Sequence, residues 1–272
     1  MKVKYAVFFT LICCCINVSG NAYATTLKVT ISNNAQVNGL SFTPVFSAFH
    51  SDVYNAFDLG GSATDGLKAL AELGMVNPIA SELAAADPGA TSGVVFPEAG
   101  ARPLFPGESG EIVVDVDDPE TNRFFTFLSM LLPSNDTFFG NSDPVELFNI
   151  AGEFLGTQVL NITGANLYDA GTEGLDTSAA PFVAGSDATS NPADTSNLIR
   201  GAESLADFGG LSLGNGSVLD ASLIDFLTDP TGFDVATITI TEVPEPSAAM
   251  LLILGLGGLL TSVARNRSKR AI

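Results

Sequence analysis

Arg123–Leu132 reads RFFTFLSMLL, and from Phe124 onward it is almost wholly apolar. Such a run marks a strand buried on both faces, or one at the centre of a sandwich. Asp117-Asp118-Pro119-Glu120 precedes it as an acidic turn. A doubly buried strand needs other strands beside it, so the neighbouring sequence should be rich in them.

Working outward, strands are expected wherever apolar and β-branched residues alternate. Thr26–Ser32 (TLKVTIS) is the first and Asn33-Asn34 closes it. Leu40–His50 (LSFTPVFSAFH) is the second, broken at Pro44, which suits an edge or a bulge. Gly93–Phe96, Glu111–Val116, Gly156–Thr163 and Asp234–Thr241 complete the set, while Pro144–Ala151 has little period and is ambiguous.

Two helices interrupt these strands. Leu67, Leu70, Ala71 and Leu73 recur at helical spacing, with Ser62 or Thr64 as cap and Gly74 as stop. A second short helix is expected over Asn77–Ala85, with Pro78 in its first turn. Thr177–Ala206, rich in Ser, Ala, Asp, Asn and Pro, is expected to be a long, mobile surface excursion. The fold expected is mostly β: an antiparallel β-sandwich with short helical insertions.

Both chain ends carry export features. Lys2 and Lys4 precede an apolar segment, Tyr5–Val18, and Ala22-Tyr23-Ala24 offers a small-x-small cleavage site, so residues 1–24 are expected to be a signal peptide. Cys13, Cys14 and Cys15 all fall inside it, leaving a mature chain without disulfides or thiolate metal ligands. The residues before Cys13 are bulky, which argues against a lipoprotein site. At the other end an uncharged run, Ala248–Ala264, leads into Arg265, Arg267, Lys269 and Arg270. A transmembrane helix over 248–264 with a cytoplasmic basic tail is expected, and residues 25–241 between the two ends form the exported domain.

In that domain the basic residues are Lys28, Lys68, Arg102, Arg123 and Arg200, against all 30 Asp and Glu. A nucleic-acid partner is therefore not expected, because phosphate binding needs clustered Lys and Arg. The acidity serves solubility through self-repulsion, or some carboxylates gather around divalent cations. Enzyme chemistry is not expected. His50 is the only histidine, so no metal-binding His pair exists. Nor is a serine elbow expected, and the absence of Trp removes the usual sugar-stacking platform of a glycosidase.

Two resemblances extend this reading. Val243-Pro244-Glu245-Pro246, the Gly-rich apolar run after it and the short basic tail together resemble a PEP-CTERM sorting signal over 242–272. That resemblance implies an exosortase as processing partner, besides signal peptidase, and delivery to the cell surface or an exopolysaccharide matrix. Within the domain, three stretches resemble the spondin domain: Phe42-Thr43-Pro44 through His50 to Ala71-Glu72; Leu128–Gly140, with its Pro-Ser-Asn-Asp turn; and Tyr168-Asp169-Ala170-Gly171-Thr172-Glu173. The resemblance weakens after Thr177. It implies a C2-like sandwich, bound Ca²⁺ in animal members, and adhesive or carbohydrate-binding roles, with Asp136, Asp169 and Glu173 as metal ligands and Asp176 as a weaker fourth.

The chemistry is consistent with that implication. Gly171 permits a left-handed turn that lets carboxylates four residues apart face one point, and Asp136 is expected at an exposed strand end beside them. The alternative is that Asp169 only caps its own turn. The function expected is an exported, non-enzymatic binder of exopolysaccharide or of a surface protein; the alternative is a purely structural matrix protein.

Overall fold

The computed structural model describes residues 24–194 and 196–244. The expected signal peptide and transmembrane helix, together with Glu245 and Pro246, lie outside the described residues. Among the described residues no helix is long and apolar enough to cross a membrane. Pro244 follows the last strand as exposed coil.

In chain order the strands and helices are β1 (Thr25–Asn33), β2 (Ser41–Phe42), β3 (Val45–His50), α1 (Asp65–Leu73), α2 (Val76–Ala86), β4 (Thr91–Val95) and β5 (Ser109–Val116). They continue with β6 (Phe124–Leu132), β7 (Thr137–Gly140), β8 (Val145–Glu146), β9 (Gln158–Thr163), β10 (Leu167–Asp169), β11 (Arg200–Gly201) and β12 (Asp234–Glu242). All the pairings between them are antiparallel. One sheet has the order β5-β1-β12-β9. The other has the order β11-β10-β7-β6-β3-β4, with β2 and β8 pairing along β6.

The alternation of β1 does the expected work: Leu27, Val29 and Ile31 point inward and meet Phe49, Phe125, Phe127 and Phe139 of the facing sheet in one core. The opposite face of the larger sheet is also buried. There Phe46, Leu128 and Phe138 pack against Leu67, Leu70 and Ala71 of α1 and Ile79 and Leu83 of α2. The protein is thus a β-sandwich with a helical layer outside it. β6 lies in the middle sheet, which explains why its sequence is apolar on both sides.

Local signals place the helices. Thr64 Oγ1 accepts the Leu67 N–H as N-cap, and Gly74, at φ 67°, ends α1 in the left-handed conformation. Pro44 splits the expected Leu40–His50 strand into β2 and β3, with Thr43 N donating to Met130 O at 3.0 Å across the gap.

Thr177–Ala206 departs from expectation. Ala179, Ala180, Ile199 and Leu205 within it are buried. Apart from the two-residue β11 the described part of the segment is irregular, but it folds over the sandwich, because its few apolar side chains sit where its backbone turns inward. Periodicity cannot register such burial.

Strand directions place every loop at one of two ends. Leu27 opposes Glu242, so the chain enters β1 and leaves β12 at the same end. Asn33, at the far end of β1, lies beside Glu108, and the Pro97–Gly110 bridge ties the exit of β4 to that far end. Following the registers through β3 and β6, His50 and Phe124 fall at the termini end, whereas Leu132 and Thr137 fall at the far end.

A carboxylate cluster at the far end of the sandwich

Asp136 is the last residue of the turn between β6 and β7. Ser134 Oγ donates to Leu131 O at 2.6 Å and accepts from Thr137 N at 3.1 Å, which closes that turn on itself. Pairing of β7 with β10 sets Thr137 opposite Asp169, so Asp136 and Asp169 become neighbours. Gly171, at φ 69°, then folds the chain back; a Cβ there would run into the Leu198 backbone, so glycine is required twice over. The returning loop brings its N–H groups to Asp136. Its Oδ2 accepts from Thr172 N at 2.8 Å, Thr172 Oγ1 at 3.1 Å and Glu173 N at 3.0 Å.

Asp169 divides its two oxygens. Oδ1 accepts from Gly171 N at 2.7 Å, and Oδ2 accepts from Arg200 Nη2 at 3.0 Å. Arg200 arrives from β11, directly across from Asp169 in the ladder, and also donates to Asp194 at 2.7 Å, Glu203 at 2.9 Å and Ser196 Oγ at 2.6 Å. Glu173 accepts from Asn191 Nδ2. Its neighbour across the cluster is Glu72, on the last turn of α1, whose Oε1 is buried without a hydrogen-bond partner and has Lys68 Nζ at 3.6 Å.

The charges are unbalanced. Burial and then the charge of Asp136 push the Asp169 carboxyl up to about 7, although Gly171 N–H and Arg200 pull the other way. Burial, Glu72 and Asp136 push Glu173 up to about 7 as well. Burial also raises Asp136 and Glu72 above the ordinary carboxylate range. Arg200 is held more firmly protonated than usual: burial works against its charge, but the hydrogen bonds it donates to Asp194 and Glu203 outweigh that.

The structure therefore brings Asp136, Asp169 and Glu173 to one place. Two of them it buries, Asp136 at 3% and Asp169 at 5% exposure, because the folded-over segment covers the turn, while Glu173 is half-buried. Asp176 does not join them. Its carboxylate accepts from Ser178 N and Oγ, while its backbone pairs with the Asn135 side chain in both directions. Glu72 and Arg200 are the members that no local sequence signal announces; Glu72 has only its place beside Ala71 in the spondin-like helix.

Among the described residues no three His, Cys, Asp or Glu side chains already surround a point as a metal cage does. The donors are nevertheless of the kind a hard divalent cation takes. They are all oxygen, they repel one another, and the buried Glu72 Oε1 has only the Lys68 ammonium at 3.6 Å and no hydrogen bond. As placed, loop N–H groups and Arg200 hold the oxygens that such an ion would share.

Other candidates resolve as structural. His50 is fully buried; Nδ1 donates to Ser51 O at 2.6 Å and Nε2 accepts from Thr126 Oγ1 at 2.8 Å. Burial lowers its pKa, so it sits neutral with both nitrogens engaged. Against expectation, the chain does contain one Gly-x-Ser-x-Gly spacing, Gly210–Gly214. It lies in an irregular segment where Ser212 bridges to Val218, not on the strand-to-helix turn that an elbow requires.

An eight-stranded sheet packed on a four-stranded one, with a Pro-Ser-Asn-Asp turn facing an Asp-Ala-Gly-Thr-Glu loop, defines the class. The sequence profile of the Spondin_N family matches residues 32–200, more than half of the chain, and the protein belongs to that family. A search of curated protein sequences finds no match. Family membership points to an extracellular, matrix-type protein.

Proposed function

We propose that the protein is an exported, non-enzymatic binder displayed at the cell surface or in the exopolysaccharide matrix, and that its far-end carboxylates take up Ca²⁺. The observation that supports this most directly is the gathering of four carboxylates, Asp136, Asp169, Glu173 and Glu72, around only two cations, Arg200 and Lys68, with burial and mutual repulsion pushing Asp169 and Glu173 up to about 7. Asp136, Asp169 and Glu173 would hold the ion, with Glu72 beside them. Bound Ca²⁺ supplies positive charge and open coordination positions that hydroxyl or carboxylate groups of a matrix ligand complete.

Polarity of display supports the same reading. Both termini leave the sandwich at one end and the carboxylates lie at the other. A chain held through residues 248–264 and matured by signal peptidase and an exosortase would therefore present them outward. Binding rather than catalysis agrees with the engagement of His50 and with the loop position of Ser212.

Calorimetric titration of Ca²⁺ tests the proposal, with Asp169→Ala as control and melting curves taken with and without EDTA. Saturation at about 10⁻⁴ to 10⁻³ M, lost in the variant, is the expected result. Saturable binding to extracted exopolysaccharide should then disappear in EDTA. Absence of Ca²⁺ binding at ten times that concentration leaves the structural matrix role in its place.

A further inference from the structure

A cavity of about 250 Å³ opens at the far end, beside the carboxylate turn. Pro103, Phe105, Leu132, Phe182 and Leu213 make its walls, and Arg102, Gly214 and Asn215 complete the lining. Leu132 and Leu213 are buried at 1% and 3% exposure, so the recess has a closed apolar floor.

Two features set it apart from an ordinary surface dimple. Phe182 sits at φ 66°, a left-handed conformation that bulky side chains avoid, and is still 38% exposed. Its backbone is held there because Gly214 N donates to Phe182 O at 2.9 Å. Strain that keeps an aromatic side chain partly in water, when burial would stabilise it, is more often found where that side chain serves recognition. Arg102 is the second feature. Its guanidinium lies over the Phe105 ring, 5.0 Å from the centroid; Glu108 fixes it through two hydrogen bonds and Nη1 also donates to Pro103 O at 3.0 Å, which leaves Nε and one Nη2 hydrogen as donors. It brings one of only five cations of the acidic domain to this rim. Asn215 spends its Oδ1 on Ser217 N, leaving its amide N–H groups as donors.

The volume decides between classes of occupant. Pockets for whole small molecules run from about 300 to 1,000 Å³, so this one is the size of a single large side chain. Donors beside an apolar recess suit a side chain flanked by peptide carbonyls. The acidity of the surrounding surface disfavours an anion. We infer that this recess receives one aromatic or large aliphatic side chain projecting from a partner protein, with Arg102 and Asn215 donating to the partner's backbone carbonyls. The inference rests on the surface-binding role proposed above and gives that role a protein partner, reached through a buried anchor of the kind that dominates interface energetics.

The test uses the full chain in lipid nanodiscs and N-acetyl-tryptophanamide as probe, read by saturation-transfer NMR with empty nanodiscs as blank. Transfer to the indole protons is expected, falling at least fivefold in Phe182→Gly, which removes a wall. The same fall is expected in Gly214→Leu, whose added Cβ would meet only Phe182 O, at 3.8 Å. Phe182→Gly should also melt at or above the wild-type temperature, because glycine accepts the left-handed backbone without strain. A lower melting temperature would make Phe182 a packing residue and overturn the inference. So would equal transfer in all three proteins, or none in the wild type. Displacement of the probe by n-octyl glucoside at lower concentration than by N-acetyl-leucinamide would replace the protein side chain with a lipid chain, and a dimer abolished by Phe182→Gly would replace it with a second copy. Asp169→Asn separates the two proposals: it should lose Ca²⁺ binding and keep the indole signal.

Discussion

The two ends of the sandwich bury ionisable groups in opposite ways. At the termini end His50 is surrounded by partners that match it: Ser51 O for Nδ1, Thr126 Oγ1 for Nε2, and the edge of the Tyr54 ring at 5.2 Å. Asp87 nearby accepts from Ser51 N at 2.8 Å; although burial works against its charge, hydrogen bonds from Ser51 and Gly89 and the nearby His50 carry its pKa below the ordinary value. At the far end Asp136, Asp169, Glu173 and Glu72 share Arg200 and Lys68 and are all raised. His50 is buried with both nitrogens matched, whereas the far-end carboxylates are buried in excess of their cations, which costs stability.

Asp136→Ala should have the largest effect. It strands the Thr172 and Glu173 N–H groups in a buried loop and should lower unfolding free energy by roughly 2–4 kcal/mol in urea denaturation, with Ca²⁺ binding lost. A loss under about 0.5 kcal/mol would mean that the far-end loop does not depend on its carboxylate. His50→Phe comes next. Ser51 O and Thr126 Oγ1 would lose their partner at a cost of about 1–3 kcal/mol, while Ca²⁺ affinity stays put, because the two ends are independent.

Arg200→Gln should separate the loop's own charge balance from its cation affinity. Without the guanidinium, Asp169 is free to share its Oδ2, and Ca²⁺ should bind about fivefold tighter, close to 1 kcal/mol, in calorimetry. Weaker binding would show that Arg200 positions Asp169 for the ion.

The pH dependence should separate the ends as well. Asp169 and Glu173 have folded pKa values raised to about 7, so between roughly pH 4 and 7 the folded state holds more protons than the unfolded chain. Their contribution to stability is therefore greatest in acid and falls as pH rises through that window. At the termini end Asp87 and His50, both with lowered pKa values, act in the opposite sense: the contribution of His50 is lost as pH falls below about 6.5 and that of Asp87 only as it falls below about 4, so the two raised carboxyls outweigh one imidazole between pH 5 and 8. Melting temperature without divalent cations should thus be higher at pH 5 than at pH 8, and Ca²⁺ should raise it more at pH 8. The smallest effect is expected at Val159, half exposed on the edge strand β9 and remote from both ends: Val159→Thr should change stability by no more than about 0.5 kcal/mol.

Legibility from the sequence followed the range of the forces involved. The alternation of Thr26–Ser32, the unbroken apolar run of β6 and the Thr64 and Gly74 caps are local patterns, and each became the element it announces. β7, β10 and β11 escaped notice because four, three and two residues are too few to show a period. The left-handed Gly171 and the neighbouring of Asp136 with the Asp169 loop were legible through the spondin resemblance and the turn chemistry. Composition alone determined that the domain is acidic, that His50 is its single histidine, and that no cysteine lies beyond Cys15. Only the tertiary structure decided that Asp136 and Asp169 are buried, that Glu72 joins them from α1, and that Arg200 reaches Asp169 across a ladder from 31 residues away. Burial and Coulomb interaction depend on distance through space, and two residues on different strands carry no local mark of the partner that the sheet will give them.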